Sequence, residues 1–194
     1  PICIANISYD DEKGRRIAFD ICPVNMALNW LAGKKGKEFD KGGDMARRGT
    51  VNPGLLDSLN RLDYYRNPPP KSLGREWFTV HFLPLLKNST LETDDLMATA
   101  TEHICIQISA SLAGSGITSV LVTGGGALNE FLIEKLHQYT KIPLEIPGSL
   151  LVRYKEALIF ALLGVLRLRD EINVLASVTG GRNDLSSGEI HQPE

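Results

Sequence analysis

The sequence has 194 residues, of which 43% are hydrophobic, and this is enough for one domain with a sizeable core. Its 21 basic and 23 acidic residues are interspersed and give a formal net charge of -2. No basic stripe favours nucleic acid, no basic amphipathic helix favours a membrane, and the longest apolar run, residues 157–165, is too short to span a bilayer. Three widely spaced cysteines predict free thiols in a reducing compartment and no structural metal. The chain opens at Pro1 in a strand-like run without a signal peptide, so we expect a piece of a longer protein.

The first half of the chain predicts a β-hairpin followed by helices. Two alternating segments flank a polar turn at residues 10–14, which is typical of an antiparallel pair. Prolines open or interrupt the helices that follow, because proline lacks a backbone N–H and fixes φ. The predicted elements are strands at residues 2–9 and 15–21, and helices at residues 25–31, from residue 53, and at residues 75–86 with a kink or stop at Pro84.

The second half predicts helices that alternate with strands. The helix at residues 92–113 has apolar residues every four positions behind an acidic start. It is followed by a short buried strand at residues 120–123, a helix at residues 127–137 and a strand at residues 144–146. Together with the hairpin, these elements indicate an α/β layer fold with a mixed sheet and helices on its faces.

The last predicted helix, residues 153–169, is apolar on nearly all of its surface. A helix of that composition is predicted to lie buried. Gly164 inside it costs about 1 kcal/mol relative to alanine. We expect close packing against a neighbouring element to offset that cost.

Three consecutive glycines, Gly124, Gly125 and Gly126, lie between the strand at residues 120–123 and the helix after it. Glycine permits a positive φ and lets a ligand approach the backbone without meeting a Cβ atom. The start of a helix also directs free N–H groups at whatever lies above the turn, which suits a phosphate or a nucleotide. The motif is neither G-x-G-x-x-G nor a P-loop, and a tight turn without a ligand is the alternative.

Four charged side chains are further candidates for ligand contacts. Asp20, near the end of the second strand, could bind Mg²⁺ through water or orient a phosphate, or only cap a turn. Lys71 and Arg75 flank a glycine and could hold an anion, or lie on a surface loop. Glu156 could bind a polar ligand or only interact with the helix dipole.

The four histidines have no spacing for a metal or a catalytic triad, so we interpret them as structural or exposed.

Several stretches, taken together and in order, resemble one family. The most specific is PPPKSLGREWF at residues 68–78, and the triple glycine in VTGGGALN is the least specific. The others are ANIS at residues 5–8, FDKGG at 39–43, ATATE at 98–102, KEALIFALLGVLRLR at 155–169 and NVLASVTG at 173–180. The sequence resembles the anhydro-N-acetylmuramic acid kinases of the actin/hexokinase-like superfamily, and the wording of its matches is similar to the Bacteroidetes branch.

The resemblance covers nearly the whole chain but only the second half of a family member. It implies a single domain over residues 1–194, equivalent to the C-terminal lobe of a two-lobed kinase, with a ribonuclease-H-like or actin-like ATPase fold and the N-terminal lobe absent. Family enzymes use ATP and Mg²⁺ to phosphorylate the 6-oxygen of 1,6-anhydro-N-acetylmuramic acid while water opens the anhydro bridge, in cytoplasmic cell-wall recycling. The general base belongs to the first half, so the resemblance implies no catalytic residue here and no activity for this chain alone.

The resemblance also assigns sides of the ligand cleft. On the nucleotide side it places Gly124, Gly125, Gly126 and Asn129. We add Asp20 and Asn25 to the expected nucleotide contacts, and we expect Glu156, Lys71 and Arg75 to contact the sugar. The sequence departs from the family at positions where ligand contacts are expected. Ile2, Cys3, Cys22 and Val24 stand where the family has glycines, and Arg153 stands where it commonly has Asp.

Two hypotheses therefore stay open. In the first, the chain is the nucleotide-binding lobe of a sugar kinase, inactive alone, with a separate N-terminal lobe as its partner. In the second, it is a non-catalytic homologue that serves as a binding or assembly module, as a homodimer. An unrelated nucleotide-binding α/β domain is a third interpretation, against which the stretch at residues 68–78 argues.

Overall fold

A computed structural model gives the structure of the protein and describes residues 4–191, so Ile2 and Cys3 lie outside the described residues. The fold combines helices with small sheets, which confirms the α/β class. The strands are β1 (Ile4–Asp10), β2 (Arg16–Pro23), β3 (Val120–Leu121) and β4 (Leu144–Glu145). The helices are α1 (Asn25–Gly33), α2 (Asp44–Arg48), α3 (Pro53–Asn60), α4 (Arg75–Trp77), α5 (Leu83–Lys87), α6 (Thr93–Leu112), α7 (Glu130–Tyr139), α8 (Ser149–Leu168) and α9 (Ala176–Thr179).

The hairpin of β1 and β2 is confirmed. The strands pair antiparallel, with Asp10 opposite Arg16 at the turn. The carboxylate of Asp11 closes that turn by accepting hydrogen bonds at 2.9 Å from the backbone N–H groups of Lys13 and Arg15. The far end of β2 is buried and leads directly into α1, so the hairpin positions the start of that helix.

The prediction of one mixed sheet is wrong for the residues that the structure describes. They form two separate two-stranded sheets, one from β1 and β2 and a parallel one from β3 and β4. β3 is also shorter than the predicted strand at residues 120–123, and Leu121 is 58% exposed rather than buried. A short strand with a single partner has little surface against which to bury its side chains.

Helix α6 is the element around which the core is built. It contacts β2, α1, α2, α3 and α7, and its residues 96–105 are all buried except the half-buried Glu102. The predicted apolar row is confirmed, because Ala100 and Ile104 are fully buried and Leu112 is nearly so. Burying one large aliphatic side chain contributes about 1.5–3 kcal/mol, so this helix is a large part of the stability of the fold.

The start of α6 anchors the loop that follows α2. Asp94 pairs with Arg48 at 3.2 Å, and the carboxylate of Asp95 accepts a hydrogen bond from the N–H of Thr50 at 2.7 Å. Gly49 lies so close to the helix that a Cβ atom at this position would overlap the carbonyl group of Asp94. Glycine is therefore required here by close approach to backbone.

A polar network joins α3 to α6 inside the core. Nδ1 of the fully buried His103 lies 2.7 Å from Oδ1 of Asn60, and Nε2 lies 2.9 Å from the hydroxyl of Tyr65. Because an amide oxygen only accepts, Nδ1 carries the proton and Nε2 accepts from the tyrosine. Gln107 also donates to Oδ1 of Asn60, at 2.9 Å. Burial lowers the pKa of His103 to about 3, so the ring is neutral at pH 7 and its role is structural.

The predicted helix at residues 75–86 is interrupted. A π-helical segment, Phe78–Phe82, separates α4 from α5, and Pro84 lies in the first turn of α5. Proline lacks the N–H that a continuous helix would need at this point. The predicted irregularity is therefore confirmed, but it lies before Pro84, in the segment Phe78–Phe82.

Helix α8 contradicts its prediction most clearly. It was predicted to be buried, but Val152 is its buried residue, and Leu150 and Phe160 are 73% and 72% exposed. Nothing lies within 4 Å of where a Cβ atom of Gly164 would be, so the predicted close packing is also wrong. Composition predicts burial only if another layer covers the helix, and residues 4–191 provide none. None of the helices in this described part of the chain has the length and apolarity needed to cross a membrane.

Replacing Gly49 with alanine should lower the free energy of unfolding by more than about 2 kcal/mol, because the new methyl group meets the backbone of α6. The matched control is Gly54→Ala, where the nearest atom would be Oδ1 of Asn52 at 3.5 Å. That substitution in α3 should be neutral or stabilising by up to about 1 kcal/mol. Urea unfolding measures both, and equal values for the two variants would contradict the close approach at Gly49.

The neutral His103 should make stability depend on pH. Its pKa in the folded chain, about 3, lies below the value near 6.5 of the unfolded chain, so the unfolded state binds more protons between these values. Stability is therefore complete above about pH 6.5 and falls as the pH is lowered toward 3, by roughly 2 kcal/mol from this group between pH 7 and pH 5.

Urea unfolding of His103→Gln at the two pH values should show that this loss is absent. The control is His137→Gln at an exposed position of α7, which should keep the pH dependence of the unmodified chain. An unchanged pH dependence in His103→Gln would show that the buried ring does not set it.

Candidate functional site

The glycine turn, defined as residues 124–126, follows β3 after two intervening residues, Val122 and Thr123. Gly124 has φ 82° and ψ -179°, a conformation that residues with a side chain rarely adopt. A 3₁₀ turn, Gly125–Leu128, continues the chain. No atom lies within 4 Å of where a Cβ atom of Gly124 would be, so one side of the glycine turn is open.

Helix α7 begins later than predicted. The predicted helix starts at residue 127, but residues up to Leu128 belong to the 3₁₀ turn and α7 begins at Glu130. The cause is Asn129, whose Oδ1 accepts a hydrogen bond from the N–H of Leu132 at 3.0 Å and so caps the helix. Asn129 is buried by this role, while Leu128 is 55% exposed.

The start of α1 packs against the glycine turn. A Cβ atom on Gly125 would lie 2.8 Å from Nδ2 of Asn25, so glycine permits this close approach. Val24, which is 5% exposed, packs beneath the turn, with its Cγ1 atom 3.7 Å from where a Cβ atom of Gly126 would be. The structure therefore brings Asn25 together with the three glycines.

A pair of glycines, Gly42 and Gly43, packs against the start of α7. The sequence suggested no role for this pair beyond the resemblance. Gly42 and Gly43 have φ of 64° and 81°, and a Cβ atom on Gly43 would overlap the side chain of Asn129. Both oxygens of the buried Asp40 accept backbone N–H groups at the start of α2, at 2.9 and 3.1 Å. The signal for this arrangement was the sequence Asp-Lys-Gly-Gly at residues 40–43, which is typical of a capped turn.

Asp20 belongs to a different cluster. Its Oδ2 accepts hydrogen bonds from the N–H of Leu73 at 2.8 Å and from the hydroxyl of Ser72 at 3.0 Å, and its N–H donates to the carbonyl of Lys71 at 3.2 Å. The hydroxyl of Tyr64 donates to its backbone oxygen. This carboxylate holds the segment after the proline run against β2. Across the described ranges, no three His, Cys, Asp or Glu side chains form a group that could hold a metal ion.

Lys71 lies among aromatic rings beside Asp20. Its Nζ atom is 4.7 Å from the ring centre of Tyr64 and 5.5 Å from that of Phe19, and burial lowers its pKa. The ammonium lines an open cavity of about 260 Å³ together with Phe19 and Tyr65. A cation at such a cavity can attract an anion.

The other two residues assigned to the sugar lie apart from this cavity. Arg75 is exposed at the start of α4. Glu156 is exposed on α8, a helix that contacts the 3₁₀ turn after the glycines.

The family model for anhydro-N-acetylmuramic acid kinase matches residues 3–193. The chain belongs to the anhydro-N-acetylmuramic acid kinase family. It is 32% identical over 198 residues to an anhydro-N-acetylmuramic acid kinase of Saccharophagus degradans, covering 98% of this chain and 53% of that protein.

Other relatives with the same name agree. That of Aliivibrio fischeri is 37% identical over 142 residues, covering 70% of this chain and 38% of the relative. That of Streptomyces coelicolor is 33% identical over 202 residues, covering 96% and 50%. The chain thus spans about half the length of the curated relatives that it matches.

Two departures from the pattern of the anhydro-N-acetylmuramic acid kinases are absorbed by the core. Cys22 and Val24, which replace glycines, are fully buried and 5% exposed. Both side chains belong to the hydrophobic core together with residues of α1 and α6. The glycine turn itself keeps all three glycines.

Replacing Asp20 with alanine should lower the free energy of unfolding by about 1–3 kcal/mol without any ligand, because the N–H of the buried Leu73 loses its acceptor. Ser72→Ala is the control, since it removes only an exposed hydroxyl donor and should cost less than about 1 kcal/mol. Urea unfolding in metal-free buffer measures both. If Asp20→Ala were as stable as the unmodified chain, the carboxylate would have no structural role and would be free for a ligand.

Proposed function

We propose that this chain is the nucleotide-side lobe of an anhydro-N-acetylmuramic acid kinase, with an actin-like ATPase fold over residues 1–194. Membership of the family supports the activity, and the order of a parallel strand, a glycine turn and a helix supports the nucleotide side. In parallel α/β arrangements, ligands bind beyond the carboxyl ends of the strands, which is where the glycine turn lies.

The open side of Gly124 is the observation that carries this proposal. The N–H groups of Ala127 and Asn129 close the 3₁₀ turn by bonding to the carbonyls of Gly124 and Gly126. The N–H groups of Gly125 and Gly126 are at the start of that turn, where N–H groups have no partner within it. Phosphate oxygens of ATP would accept from these groups, and the amide of Asn25 is beside them.

The proposed reaction is that of the family. The γ-phosphate of ATP, with Mg²⁺, goes to the 6-oxygen of 1,6-anhydro-N-acetylmuramic acid, and water adds at the anomeric carbon as the anhydro bridge opens. The product is N-acetylmuramic acid 6-phosphate, formed in the cytoplasm. The general base would come from the part of a family-length protein that this chain does not match. Here Lys71 would contact the sugar at its open cavity, and Asp20 would hold the Lys71 segment in place. Arg75 and Glu156 do not line that cavity, so no sugar contact there is proposed for them.

Phosphoryl transfer needs mainly positioning and stabilisation of charge. The contribution of this chain would therefore be a rigid anion-binding turn rather than a reactive side chain. Asn129 would act by fixing the start of α7, since its side-chain oxygen is already bonded to the backbone of that helix.

One observation favours the alternative of a non-catalytic homologue. Cys22 and Val24 leave the β2–α1 connection without the glycines that the family has there. A second phosphate contact from this connection would then be lost. Nucleotide binding decides between the two proposals.

Thermal unfolding should be measured with Mg-ATP and with Mg-ADP. The kinase-lobe proposal expects a saturable rise in melting temperature, worth about 2.7 kcal/mol at about 100 times the dissociation constant. Gly124→Ala should abolish the rise, because alanine cannot easily adopt φ 82° with extended ψ. Gly33→Ala, at the end of α1 with nothing near its Cβ position, is the control and should keep it.

An equal rise in Gly124→Ala would place nucleotide binding away from the glycine turn. No rise in the unmodified chain up to millimolar nucleotide would favour the non-catalytic homologue.

A further inference from the structure

Helix α8 carries a regular apolar seam. Its members recur at alternating spacings of three and four residues, and they are Leu151, Tyr154, Leu158, Ala161, Val165 and Leu168. This is the spacing of a heptad, in which one narrow stripe of a helix faces another helix. Tyr154, Leu158 and Leu168 are 62%, 60% and 72% exposed. The seam is therefore shaped for a helical partner that residues 4–191 do not supply.

The exposed surface of α8 is larger than the seam. Leu150, Phe160 and Leu162 are also more than half exposed. Monomeric proteins rarely leave so large a contiguous apolar patch in water, and such patches commonly mark interaction sites. Gly164 leaves open space beside the seam, which permits close approach of a partner backbone.

The charges beside the seam discriminate between occupants. Residues 149–169 contain four basic side chains and one acidic side chain. Lys155, Leu162 and Arg169 are seven residues apart and each follows a member of the seam. They therefore occupy the same heptad position and lie along one edge of the seam. In an antiparallel pair of two copies, this edge would meet itself, and Lys155 would face Arg169 of the second copy. A partner helix with an acidic edge avoids this repulsion.

The lengths of the relatives indicate where such a helix is found. They are about twice as long as the segment that they share with this chain, which itself matches almost completely. We propose that the seam of α8 docks onto an amphipathic helix with an acidic edge in the half of a family-length kinase that this chain does not match. This inference rests on membership of the family and not on nucleotide binding.

The docking has a consequence for the candidate site. α8 contacts the 3₁₀ turn at Gly125–Leu128 and carries Glu156. A partner that holds α8 would therefore fix the glycine turn and Glu156 relative to the other half of the kinase. The seam would then be a joint between the two halves rather than a ligand site.

The test uses this chain and, as its partner, the separately produced half of the Saccharophagus degradans kinase that it does not match. A cooperative thermal transition of that half first establishes that it folds on its own, so that absence of a complex bears on the seam. Sedimentation velocity measures the complex. The unmodified chain should form a one-to-one complex, and Leu158→Glu or Val165→Glu should each weaken it by about tenfold or more. Val80→Glu makes the same change at a 64% exposed position away from α8 and should leave the affinity unchanged.

Folding of each variant is checked by its melting temperature, which should stay that of the unmodified chain because both seam positions are exposed. No complex at about 100 μM, or a complex insensitive to both seam variants, would overturn the proposal. A dimer of this chain that Leu158→Glu dissociates would assign the seam to a second copy and overturn it as well. Nucleotide binding is tested separately, by thermal unfolding of the unmodified chain and of Gly124→Ala with Mg-ATP. Failure of one proposal is therefore distinguishable from failure of the other.

Discussion

The burial of α6 is the constraint on which the rest of the structure depends. Apolar contacts hold the helices against it but have no direction, so they do not by themselves set register. Two of its buried polar side chains, Thr99 and His103, do, because each is hydrogen-bonded to a specific partner. Thr99 accepts the N–H of Asn52 and so positions the start of α3, while His103 binds Asn60 near the end of the same helix. Two polar contacts, one at each end, fix α3 along α6.

The same helix determines the glycine turn through α7. Glu102 of α6 pairs with Lys135 at 2.8 Å and accepts a hydrogen bond from the hydroxyl of Tyr139, so α7 is held along its length. The start of α7 is in turn fixed by the Asn129 cap, which lies against Gly43. The core therefore fixes the C-terminal side of the turn, at Asn129, before any ligand arrives. Preorganisation of this kind is what an anion-binding site needs.

The sequence predicted those elements whose pattern and partner both lie within the chain. Alternation gave the hairpin, and the four-residue row gave α6 with its buried face. The start of α7 was missed because Asn129 separates the 3₁₀ turn at Gly125–Leu128 from α7 and caps the latter. The spacing of apolar residues does not reveal such a cap. The exposure of α8 was missed for a different reason: composition shows that a helix needs cover, but not whether the cover is present. For the site, the sequence and the resemblance named Asn25 and the glycines, whereas the link between Asp20 and Leu73 required the folded chain.

Docking at the exposed seam of α8 should affect the affinity of the glycine turn for nucleotide. With Cys22 and Val24 in the core, the proposed nucleotide site would consist of one turn and the amide of Asn25. A single helix start contributes only about 0.3–1 kcal/mol per charge at an exposed site, which corresponds to weak binding. Tight binding would need contacts from a second surface held opposite the turn. Since α8 contacts the turn, whatever docks on α8 would lie near that position. The affinity for nucleotide should then be a property of the docked pair, set as much by the apolar seam as by the glycines.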